Sequence, residues 1–162
     1  MKLYHGSYQE IEAIDLSKSK PNKDFGKGFY LSAEIEQATA MAAYKAAQMD
    51  SSPIVTAFEF DENMLSEPSS ADLKIKVFND YSEDWAKFVF ANRNNPNGDL
   101  PIHDYDIVYG PIANDKVGVQ IRNYIENNIS FQTFIERIKY LKGVTFQYYF
   151  GTEKAIKLLK KI

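Results

Sequence analysis

The 162-residue chain has no cysteine, two histidines, one tryptophan and no apolar run long enough to cross a bilayer. Each scarcity removes a class of chemistry. Without cysteine there is no disulfide framework, no thiolate metal site and no cysteine nucleophile, a usage that fits a reducing compartment. With His5 and His103 as the only imidazoles, a zinc site would need carboxylates for most of its ligands, so no metal is expected. Charge of one sign is lacking too. The 19 basic and 22 acidic residues leave a net charge of -3, which gives no global attraction to phosphate backbones but leaves room for a local basic patch. Residues Met1 to Gly6 lack the basic-then-apolar layout of a signal peptide, so the expected address is the cytoplasm, with no membrane partner.

What is present suffices for a core. Hydrophobic residues make up 44% and aromatics 14%, enough for one domain spanning residues 1–162. Lys2 to His5 reads as a strand ending at Gly6-Ser7, and Ser17 to Lys23 as a mobile polar loop. Asp24-Phe25-Gly26-Lys27-Gly28-Phe29-Tyr30-Leu31-Ser32 is the stretch around which the chain is organised. Two glycines ahead of an aromatic strand suggest a loop lying against something flat. Ser32 is the expected N-cap of a helix to about Gln48, with Ile35, Ala38, Met41, Ala42 and the stem of Lys45 on its inward side.

Further strands are expected at Ile54 to Phe60, around Leu73, Ile75 and Val77, at Tyr105 to Tyr109 and at Val144 to Phe150. Helices are expected after Ser82, from Val117 to Asn127, from Ser130 to Lys142 with Gly143 as its cap, and after Thr152. The last should turn Ala155, Ile156, Leu158, Leu159 and Ile162 inward and its lysines to water. Trp85, Phe88 and Phe131 read as core, Asp106 as a strand-end hydrogen-bonding residue, Asn114 with Asp115 as a helix cap, and His103 as loop surface. Strands and helices mix without strict alternation, so the fold class is α+β and not a doubly wound sheet.

His5 at a strand end, Tyr30 in the glycine-led strand and Gln147 in a late strand form a candidate constellation. Taken singly, a strand-end histidine is ordinary and a strand tyrosine is usually core. Together, Leu3-Tyr4-His5-Gly6-Ser7, Gly26-Lys27-Gly28-Phe29-Tyr30-Leu31-Ser32 and Phe146-Gln147-Tyr148 before a closing helix resemble, in that order, the histidine-tyrosine-glutamate branch of the ADP-ribosyltransferases, which includes diphtheria toxin and the poly(ADP-ribose) polymerases. Along its whole length, including Tyr105 to Asp115, the chain also resembles a bacterial family of unknown function related to that superfamily.

The resemblance implies a split fold of two small sheets around a cleft that takes NAD as substrate. In the family pattern the Gly6 backbone would hold the nicotinamide carboxamide, His5 would bond a ribose hydroxyl, and Tyr30 would stack on the nicotinamide ring, with Met41 near the ring's other side. Ser7, Gly28 and Phe29 complete the implied NAD-binding set. It further implies a bacterial or phage toxin or effector, an acceptor of unspecified class and an antitoxin or inhibitor protein as partner.

Gln147 departs from the pattern by standing where the family has glutamate. Cleaving the nicotinamide–ribose bond passes through an oxocarbenium-like ion, beside which a glutamate supplies charge and a glutamine only a hydrogen bond. Single transfer, slow NAD hydrolysis, a different acceptor or binding without chemistry is therefore expected in place of polymer formation, the alternatives being a catalytically weak NAD or ADP-ribose-binding module and a protein-interaction domain with a vestigial cleft, and Gln147→Glu is expected to raise nicotinamide release. Glu153, Asp106 and Asp115 are candidates for the missing carboxylate.

Overall fold

The computed structural model describes residues 1–66, 72–139 and 144–162. Within them the chain is α+β, with two sheets and five α-helices. The first sheet pairs β1 (Lys2–Ser7) with β3 (Ile54–Glu59), and β3 with a final short strand, β7 (Lys160–Lys161), all antiparallel. The second has the order β2 (Phe29–Leu31), β6 (Phe146–Phe150), β5 (Ile107–Pro111), β4 (Ile75–Val77), with β4 parallel to β5 and the other pairs antiparallel. A two-bond bridge joins the sheets: Tyr4 N–H donates to Ser32 O at 2.7 Å and Ser32 N–H to Tyr4 O at 2.9 Å.

Strand alternation divides the core in two. Phe29, Leu31, Tyr148, Phe150 and Ile107 face Leu3 and Phe58 of the first sheet and Phe60 just beyond β3. Tyr149 and Val108 face the opposite way. They pack with Trp85 and Val89 of α2 (Glu83–Arg93), Val117 and Ile121 of α3 (Asp115–Ile125), and Phe134 and Ile138 of α4 (Phe131–Lys139). Phe88 and Phe131 lie at the margin of this second cluster. Ser82 and Asn114 cap their helices as expected, each side-chain oxygen accepting the backbone N–H three residues on. Asp106 is buried and accepts from Lys74 N and Thr152 Oγ1. Residues 67–71, and with them the connection from Pro68 to Ser70, lie outside the described residues, as do Leu141, Lys142 and the Gly143 cap. None of the described helices is long and apolar enough to cross a membrane.

Helix α1 (Ile35–Gln48) departs from expectation at its start and on its face. Glu34 holds the N-cap position, two residues after Ser32, which is tied into the bridge with Tyr4. Ser32 Oγ instead accepts from Glu34 N at 3.0 Å and donates to Gln37 Oε1 at 2.9 Å. The buried face is Ala38, Ala42 and Ala46, whereas Ile35 and Met41 are 47% and 49% exposed. The cause is the close approach of β1: a Cβ on Gly6 would clash with Ala38 O and come 2.7 Å from Ala42 N. Only methyl side chains fit such a contact.

The tail differs too. Thr152 caps α5 (Glu153–Ile156), but the helix stops after one turn and the chain becomes β7 on the edge of β3. That edge offers unpaired backbone groups, a stronger attraction for a short segment than one more exposed helical turn. Ile162 is consequently 53% exposed, and Lys161 Nζ pairs with Glu10 at 2.7 Å and Glu12 at 2.9 Å.

Candidate functional site

His5 and Leu3 point from the same face of β1 toward the second sheet, so the His5 ring stacks on Phe29 with centroids 4.5 Å apart. Its Nδ1 lies 2.8 Å from Tyr30 O. A carbonyl can only accept, so Nδ1 carries the proton and Nε2 is an acceptor with no partner among the described residues. Burial, and secondarily Lys45, lowers the His5 pKa to about 4, keeping the ring neutral at physiological pH. Ser7 is buried at the end of the same strand, and Phe29 is 8% exposed, lying behind His5. Gly6 O accepts from Lys45 Nζ at 2.8 Å, and Met41 stands on the exposed side of α1.

Tyr30 lies on the opposite face of β2 from Phe29, with its ring 5.3 Å from Tyr149 and 6.4 Å from Phe25. Its hydroxyl donates to Gly26 O at 2.7 Å and accepts from Phe25 N at 3.0 Å. Burial, then the Asp24 charge, raises its pKa well above the ordinary phenol range, so it remains a donor. Tyr30 therefore closes the glycine loop under itself, and its ring is partly core. The flat surface that the loop lies against is Tyr149: a Cβ on Gly28 would come 2.8 Å from Tyr149 Cδ2. Gly26 has φ of +96°, a left-handed conformation that favours glycine.

Gln147 shares the sheet face of Tyr149 and Tyr30. Its Nε2 donates to Asp24 Oδ2 at 2.8 Å, which leaves Oε1 as an acceptor without a partner among the described residues. Asp24 is 7% exposed and also accepts from Ala113 N at 2.9 Å and Arg93 Nε at 2.8 Å, while Arg93 Nη2 donates to Ala113 O. The structure thus ties the His5 ring to the Tyr30 backbone but sets the side chains apart, with His5 on the Phe29 face of the second sheet and Tyr30 on the opposite face with Gln147, which Asp24 holds. Sequence reasoning missed Asp24 and Arg93, and an aspartate before a glycine loop carries no local sign of a partner 69 residues away. The carboxylate that touches Gln147 is Asp24. Asp106 is committed to Lys74 and Thr152, while Glu153 and Asp115 are exposed at helix starts.

His103 is not loop surface. Its Nε2 donates to Phe25 O at 2.7 Å, its Nδ1 accepts from Tyr105 N at 3.2 Å, and its ring packs on Phe88 and Tyr149, burial that lowers its pKa. Its neighbours mislead in sequence because the contacts that cover it come from 15 or more residues away. Among the described residues no group of His, Asp and Glu is arranged to hold a metal ion. Two surface hollows of about 410 and 400 Å³ are lined by Lys87, Phe90 and Tyr124 and by Met1, Phe60 and Leu158, away from the three candidate residues.

No curated protein and no solved structure matches the chain. One family model does, over residues 1–161, and the chain belongs to the family it defines, described as a protein of unknown function (DUF3990).

Proposed function

We propose that the chain is an NAD-dependent ADP-ribosyltransferase with an ADP-ribosyltransferase-like split fold, making single transfers with NAD as substrate. The observation that carries this reading is His5: a neutral imidazole with Nδ1 fixed by Tyr30 O and Nε2 left as an acceptor, at the seam where two small sheets meet. A ribose hydroxyl is the kind of donor that such a nitrogen takes. The motif order around it, and Gln147 on the face of Tyr30, support the same reading. In the reaction the bond from ribose C1′ to the nicotinamide nitrogen breaks, and its electron pair leaves with nicotinamide. A nucleophilic acceptor or water then bonds to C1′ and gives up its proton. Gln147 Oε1 accepts a hydrogen bond from a ribose hydroxyl, without the charge of a glutamate.

A second reading, a module that binds NAD without turning it over, is favoured by the neutral Gln147 amide and its tie to Asp24. Incubation with labelled NAD and a cell lysate separates the two. Nicotinamide release or label transfer that falls at least tenfold in His5→Ala supports the transferase, and NAD binding without release supports the module. Absence of both sinks the NAD reading.

A further inference from the structure

Lys45 stands beside His5 with no carboxylate paired to it among the described residues, and Lys20 and Lys23 add their charge to its surroundings. Lys45 is half-buried on the flank of α1 that meets the end of β1, and its ammonium donates to Gly6 O at 2.8 Å. That bond uses one of three N–H groups, and Lys45 forms no ion pair among the described residues. Lys27, Lys76 and Lys161 by contrast each reach an aspartate or glutamate within 3 Å. Lys20 and Lys23, exposed on the segment leading to Asp24, stand close enough to repel Lys45. Burial first, then Lys23 and Lys20, lowers its pKa to about 8. Lys45 in turn depresses His5. A chain of net charge -3 that gathers three cations here, one of them desolvated, leaves a local positive field that an anion would relieve.

We infer that Lys45, with Lys20 and Lys23, forms a subsite for the phosphate groups of a diphosphate ester lying along the end of β1. On the NAD reading, on which this assignment of the ligand rests, the group is the dinucleotide's diphosphate. Two phosphates carry two charges at neutral pH and suit an ammonium fixed at one atom with two donors left. His5 lies one residue from Gly6, so a nucleotide whose ribose meets His5 Nε2 places its phosphates next to Lys45.

The test is calorimetric titration of the full chain with NAD, nicotinamide riboside and inorganic pyrophosphate. Lys45→Gln is expected to weaken NAD and pyrophosphate at least tenfold and to leave nicotinamide riboside unchanged. The double variant Lys20→Gln/Lys23→Gln, made at exposed positions that leave the fold intact, should weaken both phosphate ligands severalfold and steepen no other response. It carries the test if Lys45→Gln unfolds. His5→Ala should weaken NAD while sparing pyrophosphate. Pyrophosphate binding that depends on Lys45 in a protein that ignores NAD would keep the phosphate subsite and reject the dinucleotide. NAD affinity unmoved in both lysine variants, or riboside affinity lost in parallel with NAD, would overturn the inference.

Discussion

The neighbourhoods of Asp24 and of His5 are built from the same kinds of polar group and end in opposite states. Around Asp24 the donors and acceptors are consumed. Its carboxylate takes Arg93, Ala113 N and Gln147, the Tyr30 hydroxyl is used twice, and the Phe25, Gly26 and Lys27 carbonyls accept from His103, Tyr30 and Tyr149. Around His5 the valences stay open, with Nε2 an unused acceptor and Lys45 retaining unused donors among the described residues. A saturated network holds a loop in place, while an unsaturated one at a surface seam has capacity left for a ligand.

The comparison can be broken at the closed end first. Asp24→Asn removes the charge facing Arg93 and should cost on the order of 3 kcal/mol, as losing one partner of a largely buried pair does. Denaturant unfolding reads it, and a loss well under 1 kcal/mol would mean that the pair behaves like an exposed one. At the open end Gly6→Ala should be of similar size, about 3 kcal/mol, because the new methyl meets helix backbone that cannot move aside. A melting temperature within a degree of the parent would refute that close packing.

Gln147→Glu sets a second carboxylate against Asp24, and each unit by which the shared site raises a carboxyl pKa costs about 1.4 kcal/mol. A raised folded-state pKa stabilises below the unfolded value and is lost as pH rises, so the penalty should be present at pH 8 and fade toward pH 4. The gain in nicotinamide release expected from a glutamate should then appear only in the Asp24→Asn background. A penalty independent of pH would show that the two side chains do not meet. At neutral pH the smallest effect on stability belongs to His5. Its pKa is depressed from 6.5 to about 4, so it contributes stability above pH 6.5 that is lost as pH falls to 4, with a slope of at most about 1.4 kcal/mol per pH unit. His5→Gln should flatten that slope in acid melts, and NAD affinity should stay level between pH 7 and 5.5, where His5 is neutral and Lys45 charged.

The strands and three of the N-caps were legible because their signals are local: alternation in Leu3 and His5, β-branched and aromatic runs at Ile54 and Ile107, and Ser82, Asn114 and Thr152 each three residues before the amide they bond. The misses share a different physics. Ile35 and Met41 fit an inward helical stripe by spacing, but the backbone approach at Gly6 admits only alanines. Ile162 fits a helix face, but a free strand edge took the segment. At the site, His5, Tyr30 and Gln147 stood out by type and order, whereas Asp24 gains its meaning from Arg93, Ala113 and Gln147, which are 69, 89 and 123 residues away. No window of sequence contains that information.

Tyr149 lies between two glycines. A Cβ on Gly28 would strike one side of its ring, and a Cβ on Gly151 would come 2.6 Å from Cε1 and Cζ. The consequence is one of inheritance. Neither glycine can accept a side chain while the tyrosine stands, but a smaller residue at 149 releases Gly151 alone, because a Cβ on Gly28 would still come 2.9 Å from Phe150 O. Descendants of this chain should change Gly151 only together with Tyr149, whereas a lineage with a substituted Gly28 would have to have moved the loop that carries Tyr30.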